Sequence, residues 1–238
     1  KVSIMDTFFV LLFKTLSYIC YCQGENMKIS LPVYSKGEEV INSMTHGVGA
    51  VLSLIGTFIV TNLTKEKISL ISGLIFCISL FLLYTASAIY HGLPKRCKLK
   101  RIMRVIDHCN VFILEAGTFT PVCLIALSDK IGIVYFYIIW LITIIGIIIN
   151  IINVDKYENI SLILHLIMGW SVLFVFNKLL RTLNIEELRY LFGGGLFYTV
   201  GSFLYYIGST KKYMHSIFHI FCLLGSYYHF LLVYSLLK

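Results

Sequence analysis

Charge is what this sequence has least of. Only 13% of its 238 residues are Asp, Glu, Lys or Arg, while 58% are hydrophobic and the mean hydropathy is +0.84. A water-soluble fold of this size would be left with large apolar patches facing solvent, so that class is excluded. Paired cysteine motifs are missing as well. Cys20, Cys22, Cys77, Cys97, Cys109, Cys123 and Cys222 are odd in number and make no C-x-x-C pair, which excludes a zinc ribbon and a disulfide framework. They are expected to be mostly small packing residues. No polar stretch between the apolar runs is long enough for a second soluble domain, or for the ligand-binding domain of a receptor. Gly193, Gly194, Gly195, Gly201 and Gly208 follow no strand and precede no phosphate-binding lysine. That excludes a nucleotide loop and leaves close helix approach as their use.

What is present is a series of apolar runs separated by short polar breaks, at about 46–63, 69–91, 107–127, 131–152, 160–177, 189–208 and 214–237. Each can cross a hydrocarbon core of about 30 Å as a helix, whereas a barrel strand needs only about ten alternating residues. The expected fold is therefore an all-α, integral membrane seven-helix bundle over residues 28–238, with its N-terminus inside. Residues 1–27 are expected to be a leader carrying a short additional apolar segment. Phe8 to Cys22 is short for a span and holds Lys14, which suits an interfacial or dispensable helix. The net charge of +8 does not point to nucleic acid, because the basic residues sit in the breaks rather than along one stripe. Their densest cluster, Lys95, Arg96, Lys98, Lys100, Arg101 and Arg104, lies between the second and third runs and sets the inside by the positive-inside bias. Pro121 is expected to bend the third span.

Alternation of the spans brings Glu39, Asn42, Thr45, His46, His91, Asp107, His215 and His219 to one end of the bundle, whichever way it is inserted. His215 and His219 are four residues apart and so share a helix face. With His91 they make three imidazoles, which suit zinc bonded at about 2.0–2.1 Å with a fourth position open. Asp107 would accept the proton of the water that the metal activates, and Ser87, one turn before His91, would bond a reacting carbonyl or that water. Plainer readings stand beside these. A histidine at a membrane boundary often snorkels or caps a helix, and Asp107 would also pair well with Arg104 or Lys100. His229 lies about 21 Å along its helix from His215, too far to share an ion, and reads as a hydrogen-bonded residue near the other boundary. His165 and His108 read as structural. Glu115, about two turns into the third span, is either on a proton or substrate path or a neutral acid bonded to a neighbouring helix.

The order and spacing of several short motifs carry a resemblance. They are Glu38-Glu39-x-x-Asn42-x-x-Thr45-His46-Gly47-x-Gly49, Ser87-Ala88-Ile89-Tyr90-His91, Asp107-His108, Ala116-Gly117-Thr118-Phe119-Thr120-Pro121, Met168-Gly169-Trp170, Gly194-Gly195-x-x-Tyr198-Thr199-Val200-Gly201 and His215-x-x-x-His219 followed by Gly225-Ser226-x-x-His229-Phe230. From Glu38 to Leu236 the chain resembles the hemolysin III family, within the progestin and adipoQ receptor group of seven-span membrane proteins. The resemblance implies zinc on His91, His215 and His219, with Asp107 near the water and Ser87 beside them. Some relatives in that group hydrolyse ceramide, and alkaline ceramidases share the metal pattern, whereas the name-giving members lyse red cells by forming pores. Glu115 departs from the apolar residue that the family pattern implies before Ala-Gly-Thr. Two functions are thus expected as alternatives: a zinc-dependent hydrolase of a membrane lipid amide such as ceramide, or a cytolytic pore in which the metal is structural. The partner is a membrane lipid rather than nucleic acid in either case, and a pore would be a homo-oligomer.

Overall fold

The computed structural model describes residues 29–208 and 210–238, so the expected leader, residues 1–27, lies outside the described residues. The helices are α1 (Lys36–Leu63), α2 (Lys67–Gly92), α3 (Lys98–Pro121), α4 (Lys130–Asn153), α5 (Glu158–Trp170), α6 (Phe176–Thr182), α7 (Ile185–Gly208) and α8 (Met214–Leu236). A π-turn, Val122–Ala126, continues α3, and a 3-10 turn, Ser171–Val175, joins α5 to α6 in one rod. No strand occurs among the described residues. Lys36–Leu63, Lys67–Gly92, Lys98–Ala126, Lys130–Asn153, Glu158–Thr182 and Met214–Leu236 are each long and apolar enough to cross a membrane. The seventh rod, α7, has 24 residues, but its glycines and tyrosines make it less apolar than those six. Large side chains such as Val51, Phe58, Ile138, Leu141, Ile148 and Ile163 are at least 48% exposed. Such surface would be unfavourable in water and is suited to lipid. The chain is a multi-pass integral membrane protein.

Local chemistry sets the helix ends. Ser35 and Glu38 form a capping box at α1: the Glu38 N–H donates to Ser35 Oγ at 3.3 Å and the Ser35 N–H donates to Glu38 Oε2 at 2.8 Å. Glu66 caps α2, Asp129 caps α4, and Asn184 with Glu187 caps α7 in the same reciprocal way. Pro121 has no N–H to continue the ladder, and the chain beyond it widens into the π-turn closed by Leu127 N–H to Val122 O at 3.0 Å. Where a bend was expected, the structure has this widening of the helix. Tyr213 enters α8 at φ 63°, a conformation disfavoured for a bulky residue. Its N–H donates to Glu38 Oε1 at 2.7 Å, which ties the start of α8 to the start of α1.

The first and third spans begin earlier than expected. α1 starts at Lys36 rather than 46, because Glu38, Asn42 and His46 point inward and are buried instead of forming a loop. α3 starts at Lys98 rather than 107, and two residues assigned to the basic loop, Lys100 and Arg104, are only 1% and 2% exposed. The core has two parts. One, around Phe76, Tyr84, Leu114 and Val233, seals α1, α2, α3 and α8; the other, around Phe112, Ile139, Met168 and Leu179, seals α3 to α7. Four of the five glycines of α7 lie within 4 Å of a neighbouring element at the position of an added Cβ, as close approach requires, but Gly195 has open space around it. At Gly208 that Cβ would meet the His215 backbone nitrogen at 3.0 Å, so a glycine here lets α7 end against the first turn of α8.

Candidate metal centre

Three imidazoles from two helices meet at one end of the bundle. His91 closes α2, while His215 and His219 occupy the first two turns of α8, and all three are buried. Their ring centroids are 5.3 Å (His91 to His215), 5.0 Å (His91 to His219) and 4.8 Å (His215 to His219) apart. One ring nitrogen from each lies within 4.8 Å of the others, and the Nε2 atoms of His215 and His219 face each other at 3.1 Å. Tetrahedral bonds of about 2.0–2.1 Å span edges of roughly 3.3 Å, so the α8 pair is already spaced to share an ion and His91 would close in slightly.

The remaining bonds of the rings favour the same reading. His91 Nδ1 lies 2.8 Å from Glu39 Oε2, and its buried Nε2 has no hydrogen-bond partner. His219 Nδ1 lies 3.3 Å from the Asn42 carbonyl and 3.4 Å from Thr45 Oγ. With Nδ1 turned to protein acceptors, His91 and His219 direct Nε2 inward, and buried polar atoms do not stay unsatisfied without cause. The donor set fits a divalent cation of borderline softness.

Asp107 and Ser87 are also brought together. Ser87 is buried on α2, one turn before His91, and its hydroxyl lies beside the half-buried Asp107 carboxylate on α3. Asp107 makes no ion pair among the described residues. The two bases that would have claimed it are engaged elsewhere: Lys100 with Glu39, and Arg104 with Asp155 and Glu158.

Tyr34 escaped the sequence reading, whereas His46 and Asn42 were already expected at this end of the bundle. His46 stacks on His219 with ring centroids 3.6 Å apart, and neither of its ring nitrogens has a partner. Its spacing from Glu39 and Asn42 is helical, so one face of α1 turns to the cluster. Asn42 accepts from Ser216 Oγ at 2.6 Å, joining that face to α8. Tyr34, which precedes the first helix and lay in no motif, stacks on His215 at 4.8 Å. Burial raises its phenol well above the usual range, so the ring stays neutral over the cluster. The segment that carries it is strapped to the rim: Lys95 Nζ donates to Tyr34 O at 2.8 Å, Arg104 to Ser30 O at 3.1 Å, and the Ser30 N–H to Asp155 Oδ2 at 2.8 Å. Burial pushes Asp155 up, but Arg104 and the Ser30 N–H outweigh it and hold the carboxyl below its usual range.

The other histidines sit apart from the cluster. His229 Nε2 lies 3.2 Å from Leu191 O, as expected of a hydrogen-bonded residue, and His108 packs on the edge of Tyr205. Glu115 has its partner on a neighbouring helix: Oε2 lies 2.9 Å from His165 Nδ1, and Phe112 covers the imidazole at 3.8 Å.

Residues 34–230 match the haemolysin-III related family. Among its relatives, the Hemolysin-3 homolog of Bacillus subtilis (strain 168) is 33% identical over 192 residues, 79% of this chain and 89% of that protein. Hemolysin-3 of Bacillus cereus is 32% identical over 192 residues, 79% of this chain and 87% of that protein. The Monocyte to macrophage differentiation factor of Homo sapiens is 22% identical over 207 residues, 84% of each chain. The matched stretch runs from just ahead of α1 into the last third of α8 and holds all three clustered histidines, so this chain belongs to the haemolysin-III related family.

Proposed function

We propose that the chain is an intramembrane zinc-dependent hydrolase whose substrate is a lipid amide such as ceramide. The observation that carries this reading is the set of three buried imidazoles with inward-facing nitrogens, one of which, His91 Nε2, has no protein partner. His91, His215 and His219 would hold the ion. When bound, zinc would supply Lewis acidity, acidifying water and polarising a carbonyl. Asp107 is the proton carrier: its carboxylate takes a proton from the attacking water and returns it to the leaving amine. Ser87 orients that carboxylate and is placed to donate to the developing oxyanion. Tyr34 and the strap that holds it restrict water at the end of the bundle, and the apolar outer faces of the helices favour a substrate arriving from the bilayer.

The test uses full-length protein purified in detergent, stripped of metal and reloaded with zinc. Fatty acid release from ceramide is expected to track zinc content and to vanish in Asp107→Asn with zinc still bound. The reading fails if protein holding about one zinc per chain releases nothing from ceramides and related lipid amides under conditions where an alkaline ceramidase does.

A cytolytic pore with a structural metal is the second reading, supported by the names of the Bacillus relatives. The outward faces of α1, α4 and α5 oppose it, because copies assembled around a channel would line it with apolar side chains. Osmotic protection by graded polymers separates the two: a pore shows a size cut-off, and a lipid hydrolase shows none.

A further inference from the structure

We infer that Glu39 is a positioning residue for the metal ligand His91, and that Lys100 holds it in place; the inference rests on the metal reading above. Three helices meet at this point. Glu39 comes from the first turn of α1, His91 from the last turn of α2 and Lys100 from the first turn of α3. One carboxylate oxygen, Oε2, accepts from His91 Nδ1 at 2.8 Å, and the other, Oε1, accepts from Lys100 Nζ at 2.9 Å. The bond to Nδ1 selects the tautomer that leaves Nε2 bare, and it makes the ring a stronger donor to a cation.

Lys100 shows that the arrangement is built. An ammonium that is 1% exposed is costly unless its donors are met. Its three protons have acceptors in Glu39 Oε1, the Tyr90 carbonyl at 2.9 Å and the Leu93 carbonyl at 2.9 Å. Two of these acceptors belong to the C-terminus of α2, where the carbonyls have no intrahelical partner and the helix dipole favours a cation. Lys100 therefore caps the helix that carries His91 and fixes the acid that orients His91. The neighbouring acid makes a useful contrast. Glu38 spends both oxygens on the cap of α1 and on Tyr213, and touches no imidazole. Two adjacent glutamates thus divide the work between backbone and metal ligand.

The test measures zinc affinity by chelator competition on full-length protein in detergent, with no substrate present. Gln at position 39 keeps an oxygen for Nδ1–H and loses the charge, so a packing role would survive it and an electrostatic one would not. Glu39→Gln is expected to weaken zinc binding about 10-fold, and Glu39→Ala up to about 100-fold. Glu66→Gln, at the opposite end of α2, should leave affinity unchanged. If Glu39→Gln folds poorly because Lys100 is left uncompensated, Glu39→Gln/Lys100→Met removes that charge, and the same loss of affinity is expected. Wild-type affinity in the folded Gln variant overturns the inference and leaves the metal reading standing. A wild-type protein that binds no zinc overturns both. Absence of lipid hydrolysis alone touches only the substrate proposal.

Discussion

Two constellations of titratable groups differ in what they leave unsatisfied. At the His215 end, His91 and His219 spend Nδ1 on protein acceptors, the Nε2 atoms of His215 and His219 face each other, and His91 Nε2 has no partner. Further along α3, Glu115 and His165 spend themselves on each other at 2.9 Å beneath Phe112. The first arrangement has open valence and invites a third party; the second is closed. What separates a site from a strut here is the count of bonds left over.

The largest effect that would break this contrast is on metal content. His219→Ala removes one of the three clustered donors, and zinc is expected to fall from about one per chain to background, because two imidazoles seldom hold the ion. Metal analysis of detergent-purified protein checks it, with Glu115→Ala as the partner experiment: that variant should retain full zinc. Its defect should be one of stability instead. Removing Glu115 strands His165 in an apolar setting and is expected to cost about 2–3 kcal/mol, less than a fully buried pair because both side chains are 16–17% exposed. Replacing both partners, Glu115→Leu with His165→Leu, should recover most of that loss, since the stranded group is then gone. Denaturation in detergent reads both variants, and a double variant no more stable than Glu115→Ala would show that the pair is not the closed unit described.

The bundle and the histidine triad were legible in the sequence for physical reasons. Apolar runs of span length admit one class of fold, and alternation forces His91, His215 and His219 to one end without knowledge of any contact. Less legible was which polar residues near those ends are buried. Lys100 and Arg104 read as loop charges, because a basic cluster between spans is ordinarily solvated. In the structure α3 starts nine residues earlier than the apolar run, and its first turns carry these two side chains inward to a carboxylate of α1 and one in the turn between α4 and α5. Such pairing depends on contacts between residues 51 to 61 positions apart, which no local pattern encodes. Tyr34 escaped for a related reason: it lies on an irregular segment with no periodicity, held only by tertiary bonds. Glu115 stands out in the sequence, since a carboxylate in a span requires an account, but its partner His165 lies 50 residues away and is brought to it only by the packing of α3 against α5.

The smallest expected effect concerns the rim, where the Arg104–Asp155 pair and Ser30 fasten the strap that places Tyr34 over His215. Asp155 lies in the turn between α4 and α5 and is partly open to water, so its pair is worth less than the buried ones, under about 1 kcal/mol. Its carboxyl is held below the ordinary range in the folded protein. A depressed acid stabilises the fold above its unfolded pKa of about 3.9, and that contribution fades as pH falls through the folded value. The strap should therefore be fast at neutral pH and loosen only below about pH 4. Asp155→Asn is expected to remove this acid-dependent part, giving a shallower fall in stability on acidification and slightly faster amide exchange across residues 30–35 at pH 7. Hydrogen exchange of the strap against that of α8 makes the comparison. Exchange that rises equally in both segments would mean that Asp155 supports the histidine end as a whole, whereas a rise confined to the strap would separate the cover from the centre it covers.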